Sequence, residues 1–205
     1  MHETEPLIRI VDDDLDDREA IAYLLNSLGF KTVTYADAVS FLTGDAPSVP
    51  GCVVLDVKMP QMSGLELQQE MLERGICLPI IFLTAHGDVE MAVGAVLKGA
   101  VNFLLKPVDT GKLKAAIEAA LARQQHWTTG GMTPQERRYI YDRFTDRKKE
   151  VLRLLALGVE NRQIAGRLGI SERTVEGHRT QSLHALGVKS VRELGTVFRE
   201  MGVDV

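Results

Sequence analysis

Short apolar runs and helical stripes alternate along the first 125 residues. The runs are Leu7–Val11, Thr32–Tyr35, Cys52–Leu55, Ile80–Leu83 and Phe103–Leu105. Each is rich in Val, Ile, Leu or Phe and bounded by charges or turn formers, which predicts buried strands. Between them, Ile21, Leu24, Leu25 and Leu28 follow i, i+3, i+4, i+7, with Gly29 as a C-terminal cap. Val89, Ala92, Val93, Val96 and Leu97 repeat the spacing ahead of Gly99, and Leu113, Ala116, Ile117, Ala120 and Leu121 do so again. Five strands alternating with five helices predict an α/β fold, a doubly wound parallel sheet covered on both faces, because parallel strands need crossovers.

The periodicity weakens after Arg123. Thr128-Thr129-Gly130-Gly131 reads as a flexible linker. Thr133-Pro134-Gln135-Glu136 reads as a capping box with proline at the first helical position, opening a short helix to Arg143. That helix is polar, which suits a connector better than a core element. The last sixty residues carry no strand pattern. Val151, Leu154 and Leu155 mark one helix ended by Gly158, and Ile164, Ala165 and Leu168 a second ended by Gly169. Ser171 caps a third, carrying Val175, Leu183 and Leu186; Ser190 is the cap of a fourth, with Val191, Leu194, Phe198 and Met201. The tight Gly169-Ile170-Ser171 joint makes the second and third a helix-turn-helix. The expected division is 1–123, a linker 124–143 that is partly helical, and a four-helix segment 144–205.

Charge separates the halves. Residues 1–125 hold 10 Lys+Arg against 18 Asp+Glu, a net −8, while residues 126–205 hold 14 against 10, a net +4. The basic half is the candidate for a polyanionic partner. The longest uncharged stretch, Gly75–Gly87, is thirteen residues, short of the ~18 a spanning helix needs. The acidic start lacks the basic opening of a secretory signal, and two cysteines, Cys52 and Cys77, make neither a disulfide framework nor a zinc cage. A cytoplasmic protein without a membrane partner, carrying reduced structural thiols, is expected.

The polar residues of the first half gather at strand ends. Asp12, Asp13 and Asp14 follow the first strand, Asp56 the third; Thr84 ends the fourth, and Lys106 ends the fifth ahead of Pro107. In a sheet ordered 2-1-3-4-5, strands 1 and 3 flank the switch point where ligands bind. Close carboxylates repel and stay ionised only around a cation, and hard oxygens with room for water suit Mg2+. One carboxylate can then act as a nucleophile toward a phosphoryl group, with an ammonium and a hydroxyl holding its oxygens. Each residue alone also has a plain role as a turn former, cap or solvated charge.

Residues 7–121 resemble the receiver domain of bacterial response regulators. The resemblance is carried by Val11–Asp14, by Asp56-Val57-Lys58-Met59-Pro60 through Gly64, by Thr84-Ala85-His86-Gly87-Asp88, and by Gly99 through Pro107. It implies that Asp56 is the phosphoacceptor and that Asp12, Asp13 and Asp56, with the Lys58 backbone carbonyl, hold Mg2+. It also implies that Thr84 and Lys106 read the phosphoryl group, that Phe103 turns inward with Thr84 as the switch, and that Lys106–Pro107 is cis. Lys58 and His86 stand where the family tunes dephosphorylation. Val108 and Asn102 depart from the common residues at their positions without touching the phosphate chemistry.

In the basic half Arg173, Glu176, Gly177 and Thr180 share one helical face, flanked by His178 and Arg179. Phe144–Gly158, Asn161–Leu168 and Gly169–Arg179 resemble the LuxR-type DNA-binding domain. By that resemblance Arg173, Glu176, Gly177 and Thr180 face base edges, where Arg reads guanine and Glu accepts from cytosine N4. His178 and Arg179, with Lys148 and Arg162 as weaker candidates, reach phosphates. The two halves in this order resemble regulators of the NarL/FixJ class, with Thr84–Val89 favouring the FixJ branch. The implied partners are a sensor histidine kinase, double-stranded promoter DNA, RNA polymerase, and a second copy once Asp56 is phosphorylated. The small residues Ala92, Gly94 and Ala95 are expected to line that dimer face. Two other readings differ in class. A small-molecule phosphotransferase needs an acid/base Asp where Lys58 stands; a constitutive DNA-binding regulator would carry a vestigial receiver.

Overall fold

A computed structural model describes residues 5–85, 87–97, 99–128 and 131–204. It forms two compact units, Met1–Glu70 with Leu78–Gln125, and Met71–Cys77 with His126–Val205. In the first, β1 (Leu7–Val11), β2 (Lys31–Tyr35), β3 (Gly51–Leu55), β4 (Ile80–Thr84) and β5 (Asn102–Leu105) alternate with α1 (Leu15–Ser27), α2 (Ala38–Gly44), α3 (Gly64–Arg74), α4 (Val89–Leu97) and α5 (Thr110–Thr128). The sheet is parallel throughout, with order β2-β1-β3-β4-β5. Every expected strand appears within one residue of its apolar run. Two-residue alternation sends Ile8, Ile10, Cys52, Val54, Ile81 and Leu83 into one core, completed by Leu25 of α1 and Leu113, Ala116, Ile117 and Ala120 of α5. Both cysteines are free, and burial pushes the Cys52 thiol up to about 12.

The α4 stripe behaves differently from its neighbours. Ala95 is buried and Ala92 half-buried, but Val89, Val93, Val96 and Leu97 are 50–81% exposed. Ala92 and Ala95 turn inward while a Cβ on Gly94 would meet open space, so the outward face is mainly branched apolar side chains, correcting the expectation of a face lined by Ala92 and Ala95. Apolar spacing at i, i+3, i+4, i+7 shows which residues share a face, not which way it points. Leu105 at the end of β5, 54% exposed, extends the apolar surface, since α4 packs beside β5.

The regular elements of the second unit among its described residues beyond 131 are all helices: α6 (Pro134–Asp142), α7 (Asp146–Ala156), α8 (Asn161–Leu168), α9 (Glu172–Ala185) and α10 (Val191–Met201). Thr133 and Glu136 form the expected capping box, with Pro134 at the helix start. The α6 helix does more than connect. Ile140 and Tyr141 are buried in a core with Phe144, Val151, Leu152, Leu155, Ile164, Val175, Leu194 and Phe198. Two adjacent large apolar residues suffice to dock a helix that reads as polar. Ser190 stands at the start of α10 without making a cap bond; its hydroxyl donates to Glu193 Oε1 instead. Thr129 and Gly130 of the expected linker lie outside the described residues. No helix among the described residues is long and apolar enough to cross a membrane.

Candidate functional site

The carboxyl ends of the strands deliver the polar residues to one crevice. Asp12 and Asp13 follow β1, Asp56 follows β3, Thr84 closes β4, and Lys106 follows β5. The parallel register pairs Val11 with Leu55 and Thr84 with Leu105, so these ends line up on one side. Lys106 Nζ lies 2.6 Å from Asp12 Oδ2, 2.7 Å from Asp17 Oδ2 and 3.8 Å from Asp56 Oδ1. Asp12 and Asp56 are buried, and Asp13 is exposed at the rim. Asp14 caps α1, its carboxylate accepting from the Asp16 and Asp17 amides. The Lys106–Pro107 bond is cis.

Asp56 is held by two donors. The Lys58 backbone N–H donates to Oδ2 at 2.7 Å, and the Thr84 hydroxyl also bonds the carboxyl. Burial pushes the Asp56 carboxyl above its ordinary value. Lys106 opposes this, Asp12 adds to it, and the Lys58 and Thr84 donors do not cancel it. Burial alone would push the Lys106 ammonium down; the bonds to Asp12 and Asp17, with the charges of Asp12 and Asp56, leave it raised. The repulsion between the neighbouring carboxylates of Asp12 and Asp56, with Asp13 exposed at the rim, fits a divalent cation of the magnesium type. Among the described residues, no three His, Cys, Asp or Glu side chains already converge as a metal-holding group; Lys106 supplies the positive charge between the carboxylates.

Two glycines make room. A Cβ on Gly64 would stand 2.1 Å from the Asp56 carbonyl oxygen, so the start of α3 reaches the Asp56 backbone only as glycine. A Cβ on Gly87 would stand 2.6 Å from the Phe103 ring, which is half-buried with its centroid 5.9 Å from that of Phe82. His86 lies outside the described residues.

In the helical unit, Gly169 takes a left-handed conformation at the end of α8, and Ser171 caps α9, accepting from the Thr174 amide. This turn sets the helix-turn-helix. Val175 and Leu183 are buried, whereas Arg173, Glu176, Gly177 and Thr180 form an exposed face. A Cβ on Gly177 would meet nothing within 4 Å, so the surface there is open. His178 and Arg179 are half-buried beside it. Burial, with Lys148 and Arg147 adding, holds the His178 imidazolium below its ordinary value, which leaves the ring neutral at pH 7. Arg162 is exposed, while Lys148 is buried and withdrawn from the approach of a phosphate.

Two residues of these sites escape a reading from sequence. Asp17 grips Lys106 across 89 residues. Asn161 donates from Nδ2 to Glu176 Oε2 at 2.6 Å, and Arg179 lies 3.3 Å from the same oxygen. A faint signal for Asn161 exists: it stands one place too late to cap α8, behind Glu160, whose side chain makes no cap bond.

The family of response regulator receiver domains matches residues 8–118, and the LuxR family of bacterial regulatory proteins matches residues 142–198. The transcriptional regulatory protein TdiR of Thauera aromatica is 41% identical over 185 residues, 90% of this chain and 82% of that protein. FixJ of Azorhizobium caulinodans is 39% identical over 190 residues, 91% and 89% of the two chains. Among solved structures, the response regulator StyR aligns with a TM-score of 0.58 at 39% identity, covering 95% of this chain and 98% of that one. Full-length FixJ from B. japonicum aligns at 0.56 and 33% identity, covering 98% of each. With a receiver pocket on a 2-1-3-4-5 sheet, a helix-turn-helix behind it and relatives matched along nearly its whole length, this chain belongs to the FixJ/NarL family of two-component response regulators, DNA-binding transcription factors with a LuxR-type output domain.

Proposed function

We propose that Asp56 is the phosphoacceptor of this regulator, with Thr84 and Lys106 reading the phosphoryl group. One observation carries the reading: a buried carboxylate bonded by the Lys58 amide and the Thr84 hydroxyl, 3.8 Å from the Lys106 ammonium. Regulators of this kind are not enzymes; their aspartate is modified by a sensor histidine kinase. Phosphorylation in the family depends on Mg2+. Asp12, Asp13, Asp56 and the Lys58 carbonyl would hold that ion, which when bound neutralises the charge on the incoming phosphoryl group. Asp56 attacks phosphorus as the carboxylate, the bond from phosphorus to the donor breaks, the donor (the kinase's histidine, or acetate from acetyl phosphate) leaves with the electron pair, and Asp56 becomes an acyl phosphate. Phe103, half-buried at rest, then turns inward toward Thr84, which is already buried beside Asp56, and the shift is only as large as the phosphoryl group's preference for the active arrangement.

Mass-spectrometric mapping after incubation with acetyl phosphate and Mg2+ tests the assignment. The phosphoryl mass is expected on Asp56 alone; a different acceptor would overturn it. Because burial raises the Asp56 carboxyl, its titration in the Mg2+-free protein should lie above 3.8, the ordinary value. An NMR pH series on the Mg2+-free protein measures this.

The receiver is assigned to 1–123, the linker to 124–143 and the DNA-binding domain to 144–205, with α6 docking onto the last. Members of the family bind DNA and dimerise. The α4–β5 surface of Val89, Val93, Val96, Leu97 and Leu105 is assigned as the dimer face, because an exposed apolar patch of this kind marks an interface. Val93→Glu should weaken beryllofluoride-induced dimerisation roughly 100-fold, since symmetry places two carboxylates in one contact. Sedimentation at several concentrations reads this, and unchanged dimerisation would move the interface elsewhere. A dimer sets two α9 helices about 34 Å apart, one turn of DNA. Arg173, Glu176, Gly177 and Thr180 then face base edges, Arg179 and Arg162 reach phosphates, and RNA polymerase is the partner at the promoter.

A further inference from the structure

Lys106 is the cation on which the phosphoryl chemistry turns, yet its shortest contacts are not with Asp56. Its ammonium carries three N–H donors. Two of them are spent at 2.6 and 2.7 Å on Asp12 and Asp17, while Asp56 waits at 3.8 Å. Asp12 belongs to the pocket, being buried at the end of β1. Asp17 does not. It projects from the first turn of α1, and its side chain is 49% exposed. That turn is fixed in turn by Asp14, which accepts from the Asp16 and Asp17 amides at 2.9 and 3.1 Å. None of the roles assigned to the pocket residues requires a carboxylate at position 17.

We propose that Asp17 is a positioning residue that clamps Lys106 in the resting state, competing with the phosphoryl group on Asp56 for the same ammonium. The inference rests on the assignment of Asp56 and Lys106 made above. The third donor is left for a phosphoryl oxygen, but the ammonium must move from its 3.8 Å separation toward Asp56 to use it, and the pull of Asp17 opposes that movement. The clamp therefore sets how much of the phosphoryl group's interaction is left over to favour the active state. Losing one half-exposed ion pair is a modest change, worth a few-fold in equilibrium.

The test is a beryllofluoride titration of the full-length protein with Mg2+, followed by calorimetry. Asp17→Asn keeps the shape and removes the charge; it should bind beryllofluoride roughly threefold to tenfold more tightly. Asp17→Glu should restore affinity to near the wild-type value, because a longer carboxylate on the same turn still reaches Lys106. Asp16→Asn is the control for overall charge, since Asp16 lies in the same turn and makes no contact with Lys106. Unchanged affinity in Asp17→Asn, or an equal gain in Asp16→Asn, would overturn the clamp. Beryllofluoride binding that survives in Asp56→Asn would instead overturn the pocket assignment on which the clamp rests. Thermal unfolding of each variant separates loss of the clamp from loss of the fold.

Discussion

Asp56→Asn should yield no acyl phosphate and no beryllofluoride-induced dimer, while the protein stays folded. The amide cannot be a carboxylate nucleophile, so the loss is complete rather than graded. The fold survives for a reason visible in the pocket. The raised Asp56 carboxyl means that the folded chain holds the ionised form less readily than the unfolded chain does. Its contribution to stability is therefore full below the unfolded value near 3.8 and is lost as pH rises through the higher folded value. At neutral pH the charge weighs against folding, and a neutral amide removes that burden. The variant's melting temperature should be no lower than wild type. Sedimentation with and without beryllofluoride, beside a thermal melt, checks both halves of the expectation. A dimer shift persisting in a folded Asp56→Asn protein would sink the phosphoacceptor assignment.

Arg9→Ala should destabilise the receiver by about 3–5 kcal/mol. Arg9 sits inside β1 with no exposed surface at all. Its Nε donates to both Asp45 oxygens at 2.9 and 3.0 Å, Nη1 to the Leu7 carbonyl at 3.1 Å, and Nη2 to the carbonyls of Ala46 and Val49 at 2.9 Å. Asp45 also accepts from the Tyr35 hydroxyl at 2.8 Å, and burial, with Asp45 adding, pushes that phenol up to about 12. Removing the guanidinium strands a buried carboxylate and loosens the loop from α2 to β3. The cost is that of an uncompensated charge rather than of one hydrogen bond. Urea unfolding measures it. Arg9→Met combined with Asp45→Asn should recover much of the loss, because the charge then leaves with its partner. Equal losses in the single and double variants would show that the hydrogen bonds to the Leu7, Ala46 and Val49 carbonyls, not the charge pair, are what Arg9 provides.

The strand ends were readable because each functional residue follows directly on an apolar run, and a parallel sheet brings all such ends to one edge. Asp12, Asp56, Thr84 and Lys106 therefore needed no structure to be gathered. Arg9 was hidden by the same logic: one charge within Leu-Ile-Arg-Ile-Val reads as a strand residue, and its partner stands 36 positions away. Asp17 and Asn161 were hidden likewise, since no local spacing announces a partner 89 or 15 residues distant. The outward direction of the α4 stripe was hidden for another reason. Periodicity carries phase but not sign, and the buried side of that helix is filled by alanine, whose small size gives the pattern little weight.

That outward stripe has a consequence for how the protein responds in a cell. Its valines and leucines are exposed before any phosphoryl group arrives, so two resting copies already have something to gain by meeting. Phosphorylation alters the association constant, and copy number drives the same equilibrium by mass action. The rate of synthesis thereby becomes a second input. A cell that makes more of this regulator lowers the signal its kinase must deliver, and one that makes less raises the threshold.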